Sequence, residues 1–320
     1  MPSGKYNRET HTVRSPSEKP HKTMNLDKGL KIRYVNIAGA IHRKVPDILA
    51  MASLTDVDII FITEIKFLGE ESLNLDGRTW YGNNLVSFHA GGGVGVLVKD
   101  HIAAYPCDIQ HIQQGRNQTF WLEVPISREQ LVFSLMYWPT DSQSNDVQTI
   151  HYLNNMINQL DAKGKTPVVI GNLNAHMSTQ NIQARTTNSR GNLLLKWAEE
   201  SRRTILNNTE VSKGTYTRQQ GENKSTLDYC IVPSNKAHLF IKMTIDEDGN
   251  LDTVTDHHWI TVDIQRNSVT EELLEQENQQ WIVDGNTDWQ AFSSYLNSEL
   301  QKSGSQPYHI EQLIQENGVD

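Results

Sequence analysis

The sequence predicts an α/β protein made of two packed β-sheets flanked by helices. Short apolar runs rich in Val, Ile, Phe and Tyr recur between residues 31 and 264, each bounded by turn residues. Helical periodicity appears between them at 43–53, 147–161 and 190–201. The chain of 320 residues exceeds the usual domain length and suits one large two-sheet core with appendages.

The first strand is read in "KIRYVNI" (31–37) and the second in "VDIIFITE" (57–64). Between them "RKVPDILAMAS" puts Val45, Ile48, Leu49 and Met51 or Ala52 on one helical face. Further strands follow in "GVGVLVK" (93–99), "TFWLEV" (119–124) and "LVFSLMYW" (131–138). After the second helix comes "PVVIG" (167–171), and after the third come "LDYCIV" (227–232) and "WITVDI" (259–264). No internal repeat interrupts this order.

Composition narrows the class. Seven Trp, ten Tyr and seven Phe supply a packed interior without disulfides. Cys107 and Cys230 lie far apart, with no CxxC or Cys/His metal spacing, and read as single thiols of a reducing, intracellular compartment. The amino-terminal segment carries no apolar h-region and no eighteen apolar residues run together, so neither secretion nor a membrane partner is expected.

Three segments are expected. Residues 1–30 form a basic leader expected to be disordered; through residue 33, eight Lys and Arg against three acids leave +5. Residues 31–265 form the core domain. Residues 266–320 form an acidic helical extension, where ten acids face Arg266 and Lys302. There Trp289, Phe292, Leu296 and Leu300 recur at helical spacing and require a partner surface, either the core or another chain. The overall charge of −9 argues against a broad basic binding face, yet it permits an acidic, metal-holding cleft.

Candidate site residues collect at strand ends: Asn36, Glu64, Tyr137, Asn172, Asn174, Asp228, and Asp256 with His257 in "TDHH". Strand ends converge on one rim of a sheet, so residues distant in sequence can share a cleft. Each alone has a plain structural reading. Glu64 could cap a turn, Tyr137 could be core, and His176 and His258 read best as turn histidines.

Taken in order, "VNIAG", "FITEIKF", "GGGVGVLVK", "YWPTDS", "GNLNAH", "STLDYCIV" and "TDHHW" resemble the endonuclease/exonuclease/phosphatase superfamily over residues 31–265. Their style is closest to the endonuclease domains of non-LTR retrotransposons. The resemblance implies a four-layer α/β sandwich of two mixed sheets, as in the deoxyribonuclease and apurinic endonuclease-like fold. It implies a DNA partner and a reverse transcriptase domain or chain reached through residues 266–320; the expected location is intracellular, with the nucleus as one option.

Chemistry and resemblance together assign roles. Phosphodiester hydrolysis needs its charge neutralised, a water deprotonated and the leaving oxygen stabilised. Asn36, Glu64 and Asp256 are the expected ligands of Mg²⁺, for which Mn²⁺ can substitute. Asp228 is expected to orient His257, and Tyr137 and Asn174 to bind the non-bridging oxygens. The superfamily block reads G-D-F-N-A-H, with its aspartate serving the attacking water. This chain carries Asn172 there, and an amide cannot accept a proton near neutral pH. An impaired Mg²⁺-dependent DNA endonuclease is therefore the leading expectation. A non-catalytic nucleic-acid-binding module comes second, and a phosphatase acting on lipid or small phosphate esters third.

Overall fold

The computed structural model describes residues 29–265, apart from 40, 55, 70, 74, 86–91, 108–117, 127–128, 141–145, 179–185 and 252–254. The leader expected over 1–30 lies outside them except for Gly29 and Leu30, and Leu30 already opens the first strand. The extension over 266–320, with its Trp289 to Leu300 stripe, lies outside them entirely.

Two mixed sheets form the core. The first contains β1 (Leu30–Asn36), β2 (Ile59–Thr63), β3 (Arg78–Asn83), β4 (Val94–Lys99), β10 (Ser212–Lys213), β14 (Phe240–Ile245) and β15 (Ile260–Ile264), in the order β10-β14-β15-β1-β2-β4-β3. The second contains β5 (Tyr105–Pro106), β6 (Gln118–Ile126), β7 (Glu129–Tyr137), β8 (Thr166–Asn172), β9 (Arg203–Ile205) and β13 (Asp228–Pro233), in the order β5-β6-β7-β8-β13-β9. A separate ribbon pairs β11 (Arg218–Gln220) with β12 (Asn223–Ser225).

Strand alternation explains the layers. In β1, Leu30, Ile32 and Tyr34 face the core between the sheets while Val35 turns to the opposite side. In β7, Leu131, Phe133 and Leu135 face inward and Val132 and Met136 outward. Phe61 of β2 meets Phe133 of β7 across the interface at 5.1 Å between ring centroids. Burying one such side chain contributes roughly 1.5–3 kcal/mol, so this doubly lined layer is the main source of stability.

The outward faces are apolar as well and must be covered. Helix α1 (Ile41–Leu54) covers the first sheet with Ile41, Ile48 and Met51, and Val45 is partly buried beside them. The side chains of Leu49 and Ala52 lie outside the described set. Helices α2 (Asp146–Asp161) and α3 (Ser189–Glu200) cover the second sheet through Ile150, Leu153, Ile157, Leu194 and Trp197. Helix, sheet, sheet, helix is the four-layer sandwich expected from the sequence.

All eight expected strands and three expected helices form, with ends shifted by a few residues at most. Missed were β3, β14 and the short β5, β9, β10, β11 and β12. The sequence "RTWYGN" of β3 runs along a sheet edge with only half-buried and exposed positions, so it lacks an apolar run. Strand β14, "FIKMTI", exposes Ile241 and Lys242 in succession and breaks the two-residue period at a bulge between Phe240 and Lys242.

Both cysteines are buried and unpaired. Burial pushes the Cys107 thiol up to about 11 and the Cys230 thiol up to about 12. Among the described residues, no helix is long and apolar enough to cross a membrane.

Candidate active site

Sheet register gathers the predicted residues. Asn172 closes β8 and lies opposite Tyr137 at the end of parallel β7 and opposite Asp228 at the start of antiparallel β13. The three form one row across the second sheet. In the first sheet, Asn36 ends β1 opposite Thr63, and Glu64 follows Thr63 directly.

Two glycines make the turns possible. At Gly171, φ is +152° and a Cβ would stand 1.9 Å from the Met136 carbonyl oxygen, so only glycine lets β8 approach β7 just before Asn172. At Gly93, with φ +83°, a Cβ would meet Ile65 at 2.6 Å and the Lys66 nitrogen at 2.9 Å. This close approach lets Ile65 N–H and Lys66 N–H donate to the carbonyls of Gly93 and Gly92, at 3.2 and 3.0 Å. The loop thereby holds Glu64 at φ +57°, a left-handed conformation rare for a side-chain residue. Asn174 is held similarly at φ +48°.

A buried cation braces the second sheet's rim. Arg190 of α3 donates through Nε and Nη2 to Asp146, at 3.1 and 3.0 Å, and through Nη1 and Nη2 to the carbonyls of Trp138, Leu173 and Pro139. Its guanidinium lies 4.6 Å from the Trp138 ring centroid, and Trp138 Nε1 donates to Asp146 at 3.0 Å. Asn174 Nδ2 donates to the Trp138 carbonyl at 2.9 Å, and Asn174 N–H donates to Asn172 Oδ1 at 3.0 Å. One network thus fixes the loops that follow Tyr137 and Asn172.

These elements enclose a cavity of about 370 Å³. Six predicted residues line it: Glu64, Tyr137, Asn172, Asn174, Asp256 and His257. His176, Thr140, Arg218 and Ser225 also contribute to its wall. Asn36 and Asp228 stand behind the wall, both fully buried.

The Asp228 carboxylate has three donors. Its Oδ1 accepts from Tyr34 Oη at 2.7 Å, and its Oδ2 accepts from Thr217 Oγ1 and from His257 Nδ1, each at 2.7 Å. With the carboxylate as acceptor, the Nδ1 proton is fixed and Nε2 is the ring nitrogen left for chemistry. Burial opposes charge on His257, but Asp228, with Asp256 and Glu64, outweighs it and raises the pKa above 6.5. Tyr34 moves well above its ordinary value through burial and the Asp228 charge, so it remains a donor. Burial lowers the pKa of both His176 and His258.

Tyr34, Thr217 and Arg218 were not anticipated from the sequence. Tyr34 sits inside an apolar strand and reads as core, whereas "TYTRQQ" carries no strand pattern and acquires its meaning through backbone pairing. Gln219 N–H donates to the Asp256 carbonyl at 2.8 Å and His258 N–H to the Thr217 carbonyl at 2.7 Å. Thr217 thereby reaches Asp228. Arg218 Nε donates to Asp256 Oδ2 at 2.7 Å.

The donor set can be tested against a hard divalent ion. Glu64 is a half-buried carboxylate on the cavity wall, and its Oε1 accepts from Asn36 Nδ2 at 2.9 Å. Asn36 Oδ1 in turn accepts from Ala38 N–H at 2.9 Å, so its amide orients Glu64. Asp256 lines the same cavity but is paired with Arg218. No cluster of three or more His, Cys, Asp or Glu suited to a metal occurs among the described residues. Mg²⁺ keeps several waters and takes one or two carboxylates, so Glu64 and Asp256 fit it, the latter by exchange with Arg218.

Residues 131–261 match a family described as endonuclease-reverse transcriptase. This match covers less than half of the chain and, with the folds compared below, supports a likeness to the endonuclease/exonuclease/phosphatase superfamily. No curated protein matches it in sequence. Its fold is similar to the endonuclease domain of TRAS1, a telomere-specific non-LTR retrotransposon, with TM-score 0.56 and 16% identity over 74% of this chain and 98% of that one. The apurinic endonuclease LMAP of Leishmania major gives TM-score 0.60 and 13% identity over 74% and 88%. A 3′ phosphatase from Neisseria, bound to product DNA hairpin, gives TM-score 0.57 and 12% identity over 74% and 99%.

Proposed function

We propose that the chain is a Mg²⁺-dependent phosphodiester hydrolase of the retroelement endonuclease type, acting on DNA and slowed by Asn172. The observation that carries this reading is the buried Asp228–His257 pair, held at 2.7 Å beside a cavity that Glu64 and Asp256 also line.

Each side chain has a task. Tyr137 and Asn174 offer donors to the non-bridging phosphate oxygens, where charge grows in the transition state. His257, oriented and kept basic by Asp228, holds positive charge beside the phosphate or passes a proton through Nε2. Mg²⁺, when held by Glu64 and Asp256, supplies Lewis-acid polarisation of the phosphate. Asn172 supplies shape without basicity. Its Oδ1 serves the Asn174 backbone at 3.0 Å, as a carboxylate oxygen there also would, so the turn tolerates the exchange while proton acceptance is lost.

The test is nicking of supercoiled DNA with Mg²⁺ by the Asn172→Asp chain, with and without His257→Ala. Metal-dependent nicking abolished by His257→Ala supports the reading; His257-independent nicking contradicts it. Asn172 itself favours a second reading, a DNA-binding module without cleavage. Salt-sensitive DNA binding by both the natural and the Asn172→Asp chains, with no nicking by either, would establish that alternative.

A further inference from the structure

We propose that Arg218 is a resident counter-cation of the cavity, which competes with a divalent ion for Asp256 and couples the binding of that ion to the binding of phosphate. This rests on the proposed reading in taking a divalent ion and a phosphate ester as the cavity's ligands.

The backbone sets the arrangement. Arg218 forms an antiparallel bridge with His257, and the Gln219 N–H bond to the Asp256 carbonyl fixes the two segments side by side. Nε and Nη2 of Arg218 both approach Asp256 Oδ2 at 2.7 Å, and Nη2 also reaches Gln220 Oε1 at 3.1 Å. The guanidinium therefore sits against one of the two cavity carboxylates. A second cation stands nearby: Lys44 of α1 is buried, donates to the Ile37 carbonyl, and feels the charges of Asp256 and Glu64.

Exchange is feasible because the pair is partly exposed, with side-chain exposures of 32% and 31%. Both side chains remain in reach of solvent, so an incoming charge can open this pair. Arginine does not deprotonate, so a divalent ion approaching Asp256 must displace a permanent charge. Phosphate has the opposite effect. Its oxygens match the guanidinium fork, draw Arg218 from Asp256 and uncover the carboxylate for the metal. Linkage then requires reciprocity, with metal tightening phosphate by the same factor that phosphate tightens metal.

The experiment measures Mn²⁺ binding to the full chain by electron paramagnetic resonance, with and without inorganic phosphate, for the natural protein, Arg218→Ala and Arg218→Lys. Circular dichroism confirms that each is folded. Arg218→Ala is expected to bind Mn²⁺ roughly tenfold tighter without phosphate and to lose most of the phosphate enhancement. Arg218→Lys, which keeps the charge, is expected to retain the weak Mn²⁺ binding. In an Asp256→Asn background, Arg218→Ala is expected to change Mn²⁺ affinity little, which separates local competition from a general field effect. Unchanged or weaker Mn²⁺ binding in Arg218→Ala overturns the proposal, as does an equal gain in the Asp256→Asn background. No cleavage is involved, so these outcomes refute the role of Arg218 alone and leave the hydrolase reading standing. Absence of Mn²⁺ binding in every variant overturns both.

Discussion

His257 Nδ1 lies 2.7 Å from Asp228 Oδ2, and the carboxylate is itself held by the hydroxyls of Tyr34 and Thr217. A buried imidazole would ordinarily become harder to protonate; here the carboxylate reverses that. The pair joins β13 to the loop before β15, so it ties the two sheets at the cavity and orients the ring there.

This relationship has a pH signature. Because the fold raises the His257 pKa, its contribution to stability is fully present below 6.5 and is lost as pH rises through the higher folded value. Nuclear magnetic resonance titration should place the His257 midpoint above 6.5 in the natural chain. In Asp228→Asn, burial acts without its main opponent and the midpoint should fall. A midpoint that is the same in both proteins contradicts the electrostatic account.

The Arg190–Asp146 pair should behave as a buried ion pair. Removing one partner, as in Asp146→Leu, leaves the guanidinium uncompensated and is expected to cost about 3–5 kcal/mol in urea unfolding. The double variant Arg190→Met/Asp146→Leu should lose much less than the two single losses added. Strict additivity would show that the pair is not coupled.

Gly171→Ala should be among the most damaging small substitutions. The added methyl group meets backbone at Met136, which no rotamer change can relieve. A loss of at least ~1–3 kcal/mol in unfolding free energy is expected, with Asn172 displaced from its row. Gly164→Ala has open space around its Cβ, so strain at φ +69° is the only cost there and the loss should be smaller. Equal losses at the two sites would contradict the packing argument.

Legibility in the sequence followed burial and spacing. Strands covered on both faces, such as "IIFIT" and "TPVVIGN", are continuous apolar runs and could be read directly, as could the residues at their ends. Edge strand β3 and bulged β14 lack that run and could not. At the site, Glu64, Asn172 and His257 were legible from their blocks. Arg218 and Thr217 were not, because their roles arise from backbone pairing between residues 217–219 and 256–258, which no local pattern announces. Tyr34 was hidden for a different reason, since its inward alternation says core and only its hydroxyl partner reveals support for Asp228.

The amide of Asn172 is where the proposed hydrolysis loses its proton acceptor. Nicking of supercoiled DNA with Mg²⁺ should be compared between the natural chain and Asn172→Asp at matched concentration and pH. The restored carboxylate is expected to raise the rate by ~10²–10⁴-fold, the usual contribution of general-base assistance. Equal rates for the two proteins would mean that the missing proton acceptor is not what limits this site.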